Sequence, residues 1–246
     1  MPGKLKSILP YGITSGAFHF NLKKWIKNIL PAFIVEYIIH KNEKKLYTTD
    51  YLLKNYVSDL TENEKWALLA FLLMLEKNGK EVKYLEVGVY AGGTIKFLQQ
   101  HTKNVHFTGV DLFEDFLPAD NNTHMWKNYS VGMVWESLGK DRVTLYKGNS
   151  EDTLLMLQDQ LRKYELIFID GNHTYKATKD DFNSSLPLLE KGGYVAFHNC
   201  SPGLTQEDKY YIELDGGPWM LTQELLQRKD FQLVTISDRI RVYKYI

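Results

Sequence analysis

The stretch Tyr84-Leu85-Glu86-Val87-Gly88-Val89-Tyr90-Ala91-Gly92-Gly93-Thr94 predicts how the rest of this chain folds. A short apolar run ends in an acid and a glycine, a turn of small residues follows, and an amphipathic segment begins at Ile95. This order predicts a strand, a glycine-rich turn and a helix. Such a turn lies at the carboxyl end of a parallel strand, where ligands bind, and glycine lets the backbone approach a ligand closely. The alternative is an ordinary connection between a strand and a helix.

Strand and helix patterns alternate from this stretch to about residue 197. Strands are predicted at 82–87, 105–110, 143–146, 165–169 and 194–197, and helices at 95–101, 123–138, 150–161 and 175–189. Repeated strand–helix units predict an α/β fold with a parallel sheet covered on both faces. After a helix at 219–228, two strands at 231–236 and 239–245 are joined too closely for anything but an antiparallel hairpin.

The first 60 residues differ from the rest, so we predict an extension over residues 1–60 and a main domain over residues 61–246. Thr61 and Glu64 form a capping-box pattern that predicts the first helix of the domain. The segment 22–40 combines lysines with an apolar block. It could lie on an anionic membrane surface, but packing on the main domain, as a lid or a contact between subunits of a homo-oligomer, is favoured because its polar face is poorly separated.

Composition excludes several classes of protein. The chain has 246 residues, with 30 acidic and 30 basic residues, so no net charge favours nucleic acid as a partner. Cys200 is the single cysteine, which excludes an internal disulfide framework. The sequence shows no signal-peptide pattern and no apolar run of the roughly 20 residues that span a bilayer. We therefore expect a cytoplasmic protein.

Acidic residues end three of the predicted strands: Glu86, Asp111 and Asp170. Asp111 follows the glycine-rich turn at a spacing that suits an acceptor for the two hydroxyls of a ribose. Dinucleotide sites have a second glycine where this chain has Tyr90, and a tyrosine there obstructs a diphosphate. The sequence also lacks the phosphate loop of nucleotide triphosphatases. A nucleoside without phosphates therefore fits this turn best.

At this point the chain resembles the class I S-adenosylmethionine-dependent methyltransferases. Residues 86–94 resemble the first motif of that superfamily, and the C-terminal hairpin fits its Rossmann-like, seven-stranded sheet. The resemblance implies that Glu86 and Gly88 lie by the methionine part of S-adenosylmethionine, Asp111 by the ribose and Ser150 by the adenine. The full implied cofactor set is Glu86, Gly88, Tyr90, Gly92, Gly93, Thr94, Asp111, Asn149, Ser150 and Asp170. The alternative for Asn149 and Ser150, equally consistent with the sequence, is that they form the N-cap of a helix.

A second motif indicates the reaction. Residues 168–175 resemble the Ile-Asp-Gly-x-His-x-Tyr signature of small O-methyltransferases in sugar, antibiotic and surface-polysaccharide pathways. The resemblance implies that Asp170 binds a divalent metal and that His173 acts as the base. It also implies a small-molecule acceptor such as a glycan or a sugar nucleotide. A histidine of near-neutral pKa can take the proton of a hydroxyl, which is a poor nucleophile until that proton leaves. Tyr175 and Asp181 are interpreted as structural, by packing and by capping the following helix.

The chain departs from this family at the end of the fifth strand. Metal-dependent relatives have Asp-Asp or Asp-Asn there, whereas this chain has His198-Asn199. Asp170, His198 and Asn199 form the predicted metal set. Three alternatives follow from the ligand chemistry: weakly held magnesium, a metal such as manganese or iron, or no metal with His198 as a second base.

Two other functions remain open at this stage. One is an NAD-dependent oxidoreductase on a similar sheet, and the other is a catalytically inactive protein that binds S-adenosylmethionine. The insert at residues 113–129 and Trp219 are candidate walls of the acceptor pocket, although Trp219 could equally belong to the core.

Overall fold

The computed structural model describes residues 54–77, 79–115, 129–139, 141–201 and 216–246. The strands are β1 (Val82–Val87), β2 (Val105–Asp111), β3 (Val143–Lys147), β4 (Tyr164–Ile169), β5 (Leu189–Phe197), β6 (Phe231–Ser237) and β7 (Ile240–Tyr245). The α-helices within the described ranges are α1 (Glu62–Glu76), α2 (Gly93–His101), α3 (Val131–Leu138), α4 (Ser150–Asp159), α5 (Tyr175–Ser185) and α6 (Gly217–Leu225).

The seven strands form one sheet in the order β3-β2-β1-β4-β5-β7-β6. Strands β1 to β5 pair in parallel, whereas β7 runs antiparallel to both β5 and β6. The predicted α/β fold with a C-terminal antiparallel hairpin is therefore confirmed. The direction of the strand order reverses between β1 and β4, and ligands bind at this switch point in open parallel sheets.

Helices cover both faces of the sheet, as the alternation of strand and helix predicts. One buried cluster joins the sheet to α1, α2 and α3, and includes Leu69, Ile95, Val134 and Phe168. The other joins it to α4, α5 and α6. Side chains alternate between faces along a strand, so the sheet is apolar on both sides and its polar residues concentrate at the strand ends.

The helix predicted at 175–189 is shorter than expected. It ends at Ser185, a single 3-10 turn follows at Leu186–Leu188, and β5 already begins at Leu189. The reason is Pro187, which has no backbone N–H to continue the i to i−4 hydrogen bonds and whose ring clashes with the carbonyl four residues earlier. The glycine pair at 192–193, predicted to end the helix, lies inside β5 instead.

Several predictions fall outside the described residues. They include the basic and apolar segment 22–40 and most of the insert at 113–129. The described end of the predicted extension, residues 54–60, packs on the domain: Leu60 is buried in the core and Ser58 bonds to Thr94. Among the described residues, no helix has the length and apolar character needed to cross a bilayer.

The capping box predicted at the start of α1 is present. The Glu64 N–H donates to Thr61 Oγ1 at 3.2 Å, and the Thr61 N–H donates to Glu64 Oε2 at 2.7 Å. Glu64 is nevertheless fully buried, so this acid does more than cap a helix. Its carboxylate faces the carboxyl edge of the sheet and is described with the site below.

Replacing Thr61 tests how much the N-cap of α1 contributes to stability. Thr61→Ala removes the side-chain oxygen that caps the helix, and should lower the free energy of unfolding by about 1 kcal/mol. Thr61→Ser keeps that oxygen and should stay within about 0.5 kcal/mol of wild type. Urea unfolding followed by circular dichroism measures both. Equal losses of unfolding free energy in the two variants would mean that the methyl group of Thr61 stabilises the protein and its hydroxyl does not.

Candidate active site

Backbone hydrogen bonds bring the ends of four strands to one edge. The Gly88 N–H donates to the Val110 carbonyl at 2.9 Å, and the Asp170 N–H to the Val87 carbonyl at 2.8 Å. The His198 N–H donates to the Ile169 carbonyl at 3.1 Å. The residues that follow β1, β2, β4 and β5 are therefore neighbours, and this edge carries most of the residues predicted to be functional.

Asp111 holds the glycine-rich turn in place. Its Oδ2 accepts the N–H groups of Val89 and Tyr90 at 2.7 and 2.8 Å, and its Oδ1 accepts the Phe113 N–H at 2.6 Å. Tyr90 has a φ of 52°, in the left-handed region that bulky residues rarely adopt. These bonds are those of a loop acid that caps a turn, and the ribose contact expected of Asp111 stays a prediction. A carboxylate has about four lone-pair sites, so one remains for a ligand hydroxyl.

Gly88 lies where no side chain fits. Its φ is 92°, and a Cβ there would overlap the carbonyl oxygen of Asp170 and approach the Gly171 nitrogen to 2.7 Å. The ends of β1 and β4 therefore meet backbone to backbone at the switch point. We call this close contact between the two backbones the Gly88 cradle, and it requires a residue without a Cβ.

Glu86 is buried beside this cradle and accepts a hydrogen bond from the Tyr84 hydroxyl at 2.6 Å. Burial raises the pKa of Glu86 well above its usual range, and the Asp170 and Asp111 carboxylates add to that increase. Burial and the neighbouring acids thus favour the neutral form of Glu86. A cationic group placed beside it would favour the ionised form.

The remaining residues of the predicted turn contact protein. A Cβ on Gly92 would approach the Val134 side chain to 2.8 Å, and one on Gly93 would overlap the backbone of Val57. The Thr94 hydroxyl lies 2.9 Å from the Ser58 hydroxyl. These contacts fix the shape of the turn, while a direct cofactor contact by Gly92, Gly93 or Thr94 stays a prediction.

Asn149 and Ser150 lie at the start of α4. Asn149 caps the helix by accepting the Glu151 N–H at 2.9 Å, and the Ser150 hydroxyl donates to Asp181 Oδ1 at 2.6 Å. The predicted capping role of Asp181 is wrong, because Thr174 caps α5 and Asp181 lies in the middle of that helix. Burial raises the pKa of Asp181 to about 6.

The ends of β4 and β5 form what we call the chemical edge, and Asp170 and His198 lie at its centre. His198 is buried, its Nδ1 lies 2.8 Å from Asp170 Oδ1, and its Nε2 lies 3.4 Å from Glu64 Oε2. Burial lowers the pKa of His198, but the two carboxylates outweigh it and raise the pKa to about 9. Burial raises the pKa values of Asp170 and Glu64, but the neighbouring histidines, with Arg239 beside Glu64, lower both to about 2.

His173 contacts Asn199 at the rim of the same cluster. The Asn199 Nδ2 atom lies 2.9 Å from Nδ1 of His173, while Asp170 Oδ1 lies 3.6 Å from Nε2. Asn199 has a φ of 53°, a conformation that asparagine tolerates better than most residues. Its Oδ1 accepts a hydrogen bond from Arg239 Nη1 at 3.0 Å. That bond identifies the amide oxygen, so the amide nitrogen faces His173.

Sequence reasoning missed Arg239 and the second role of Glu64. The Arg239 N–H and Nε donate to Glu64 Oε1 at 2.9 and 3.2 Å, and its Nη2 donates to the Asp59 carbonyl at 2.9 Å. The capping-box pattern did point to Glu64, but only as a residue that starts a helix. Nothing in the sequence pattern of the hairpin turn at Ser237–Arg239 pointed to a site.

Helix α6 begins directly against the His173 loop. The Gly217 N–H donates to the His173 carbonyl at 2.9 Å. The Tyr175 hydroxyl bonds to Glu224, which ties α5 to α6. Trp219 lies in the first turn of α6 and is only partly buried. It is not one of the buried residues of that helix. Its position suits the predicted wall of an acceptor pocket better than a place in the core.

The strand order, the glycine-rich turn at the switch point and the acids around it define a class I S-adenosylmethionine-dependent methyltransferase fold. Residues 85–200 match the family model described as "Methyltransferase domain". An uncharacterised protein of Acanthamoeba polyphaga mimivirus is 25% identical over 118 residues, which are 48% of this chain and 51% of that protein. The match thus spans about half of the relative.

Solved O-methyltransferases share the fold at low sequence identity. TomG from Streptomyces achromogenes, involved in tomaymycin synthesis and solved with S-adenosylmethionine, has a TM-score of 0.55 at 17% identity. That comparison covers 82% of this chain and 88% of TomG. MycE from the mycinamycin pathway, solved with Mg, S-adenosylhomocysteine and mycinamycin VI, has a TM-score of 0.53 at 13% identity. It covers 80% of this chain and 54% of MycE.

Gly88→Ala tests the backbone cradle. The matched control is Gly192→Ala, because Gly192 has a φ of 85° but open space around its Cβ position. A positive φ costs a non-glycine residue about 1–2 kcal/mol, so both variants should lose that much. The overlap with Asp170 should cost Gly88→Ala a further 1–3 kcal/mol, roughly the cost of overpacking. Urea unfolding checks this, and equal losses would contradict the close contact between β1 and β4.

Asp181→Asn tests the buried acid beside Ser150. The folded-state pKa of about 6 lies above the unfolded value of 3.8, so the folded state holds the extra proton between these pH values. Wild-type stability should therefore fall as the pH rises from 4 to 7, by up to about 3 kcal/mol from this group. The amide in Asp181→Asn keeps an acceptor for Ser150 but does not titrate.

The measurement compares urea unfolding of wild type and Asp181→Asn at pH 4 and pH 7. The stability of the variant relative to wild type should increase with pH. A constant difference would mean that the Asp181 carboxylate is solvated.

Proposed function

We propose that this chain transfers a methyl group from S-adenosylmethionine to a hydroxyl of a small molecule, with His173 as the general base. One observation carries the proposal: His173 and Asp170 lie at the same sheet edge as the Gly88 cradle, inside a methyltransferase domain. The turn after β1 lies at the switch point of the strand order, where ligands bind in open parallel sheets. The histidine fits the removal of a proton from an adjacent hydroxyl.

The residues around the turn suit a cationic nucleoside. Glu86, Asp111 and Asp170 are three acids at one edge, and the cofactor carries an ammonium and a sulfonium. Asp111 keeps lone-pair capacity for a ribose hydroxyl. When bound, the cofactor supplies an activated methyl group on positive sulfur, so the protein mainly positions two partners in line.

His173 accepts the acceptor's proton at a ring nitrogen. The Asn199 amide nitrogen lies 2.9 Å from Nδ1 and 3.3 Å from Nε2 of His173, so this contact orients the ring and does not single out one nitrogen. Neutral imidazole is the form that can act as a base, through its nitrogen without a proton. The Asp170 carboxylate, 3.6 Å from the ring, then stabilises the positive charge that the ring acquires.

The acceptor we propose is a sugar, or a precursor of a polysaccharide or natural product. The Ile169–Tyr175 signature supports this class, and TomG and MycE belong to natural-product pathways. Trp219, partly buried beside the His173 loop, offers an aromatic face for such a molecule. A cytoplasmic location, membrane contact by residues 22–40 and a homo-oligomer stay predictions beside this proposal.

The oxidoreductase alternative is disfavoured by the turn. The Tyr90 N–H, at the position where a dinucleotide site brings backbone close to the pyrophosphate, donates to Asp111 at 2.8 Å. Isothermal titration of the full chain with S-adenosylhomocysteine and with NAD separates the two functions. Binding of S-adenosylhomocysteine alone supports the proposal, whereas binding of NAD alone overturns it.

His173→Ala tests the base. Turnover is followed as S-adenosylhomocysteine release with a panel of monosaccharides and sugar nucleotides, and kcat is measured with the best acceptor. Loss of a general base should lower kcat by about 10²–10⁴-fold, while the Kd for S-adenosylhomocysteine stays within about twofold. His106→Ala is the control, because His106 bonds Thr144 on the neighbouring strand β3, away from the switch point.

The outcomes separate the candidate functions. Unchanged kcat in His173→Ala removes His173 as the base. Binding of S-adenosylhomocysteine by wild type, with no turnover across the panel, supports the inactive binding protein instead.

A further inference from the structure

We propose that the chemical edge of this site works without a divalent cation, because protein groups already occupy the ligand atoms of Asn199 and His198, and Arg239 supplies a positive charge in place of the cation. This inference rests on the proposed methyltransferase function and specifies its cofactor requirement. The candidate ligands are Asp170, His173 and His198, whose donor atoms lie within 4.8 Å of one another, together with the predicted Asn199. The contacts of these side chains decide whether a cation fits.

The Asn199 oxygen is already used by an arginine. Arg239 Nη1 donates to Asn199 Oδ1 at 3.0 Å, and the amide nitrogen on the other side of Asn199 faces His173. Only the oxygen of an amide can ligate a hard cation. A guanidinium keeps its charge at any physiological pH, so a cation bound to that oxygen would lie beside a permanent positive charge.

Both nitrogens of the His198 ring already face protein groups. Nδ1 lies 2.8 Å from a carboxylate oxygen of Asp170, and Nε2 lies 3.4 Å from one of Glu64. A metal ion would have to displace one of these carboxylate contacts to reach a ring nitrogen. Glu64 cannot easily turn away, since it also accepts the N–H groups of Thr61 and Arg239 at 2.7 and 2.9 Å.

The oxygen ligands of the cluster are few and already have partners. The carboxylates of Asp170, Glu64 and Asp59 contact the side chains of His198 and Arg239. Among the candidate ligands a divalent ion would find one carboxylate, Asp170, whereas magnesium prefers several oxygen ligands in near-octahedral geometry.

The same contacts supply the orientation that a metal would otherwise give. Arg239 fixes the Asn199 amide so that its nitrogen meets His173, and His198 holds Asp170 beside the His173 ring. The base and the carboxylate that stabilises its protonated form are both positioned by protein. In MycE, by contrast, the fold was solved with Mg.

Manganese binding to the full chain tests this inference directly. Mn²⁺ is titrated into wild type, Asp170→Asn and Asp180→Asn, and the free ion is followed by electron paramagnetic resonance. Asp180 is the matched control, because it is half-exposed and pairs only with Lys176, at 2.6 Å, in the described contacts. We expect the three titrations to coincide, with no site tighter than about millimolar in any of them.

One equivalent of Mn²⁺ bound at micromolar Kd by wild type and Asp180→Asn, but lost in Asp170→Asn, would overturn the inference. A weak site that persists in both variants lies elsewhere and supports it. S-adenosylhomocysteine is titrated into the same samples after chelation with EDTA. Failure to bind it would count against the proposed function, while the manganese result stands by itself.

A second variant places a carboxylate at the end of β5, where this chain has His198. Glu64→Gln with His198→Asp keeps a capping-box residue at position 64, removes the imidazole and restores two carboxylates at the strand ends. This double variant should acquire one Mn²⁺ site that wild type lacks, with at least tenfold tighter binding. Circular dichroism checks that it is folded; if it is not, the wild-type titration alone decides the question.

Discussion

The site depends on one buried imidazole held between two carboxylates. His198 lies at the end of β5, Asp170 at the end of β4 and Glu64 in the first turn of α1, so this contact ties a helix to two strands. Removing one partner from such a buried pair leaves an uncompensated charge, at a cost of about 3–5 kcal/mol. The positions of His173 and Asn199 follow from it, because both residues contact members of this group or its Arg239 neighbour.

The acids of this edge differ because their neighbours differ. Glu86 has a tyrosine hydroxyl and two other acids nearby, and its pKa is raised well above the usual range. Asp170 has two histidines nearby, and its pKa is lowered to about 2. Asp181, in helix α5, is buried beside a serine donor and a neighbouring acid, and burial raises its pKa to about 6. Burial and local contacts thus shift the pKa values of the acids around this site in opposite directions.

The fold could be predicted from sequence because its signals are local. The turn after Glu86, the period of each strand and the short hairpin connection at Ser237–Arg239 each specify their own segment, and the structure confirms them. Pro187 is also a local signal, because proline interrupts a helix. The apolar pattern that continues to Leu189 nevertheless favoured a longer helix. The site was only partly predictable. Asp170 and His173 belong to one short motif, whereas Glu64 and Arg239 are 175 residues apart and meet only through tertiary packing.

The place of Arg239 in the C-terminal hairpin has a consequence for biosynthesis. Parallel strands β1, β2 and β4 and the helices between them can associate while the chain is still emerging from the ribosome. The guanidinium that completes the edge follows β6, and β7 must pair with β5 to bring it there. A nascent chain therefore contains the glycine-rich turn long before it contains Arg239, and this edge of the sheet is complete only after the last hairpin has been synthesised and has paired with β5.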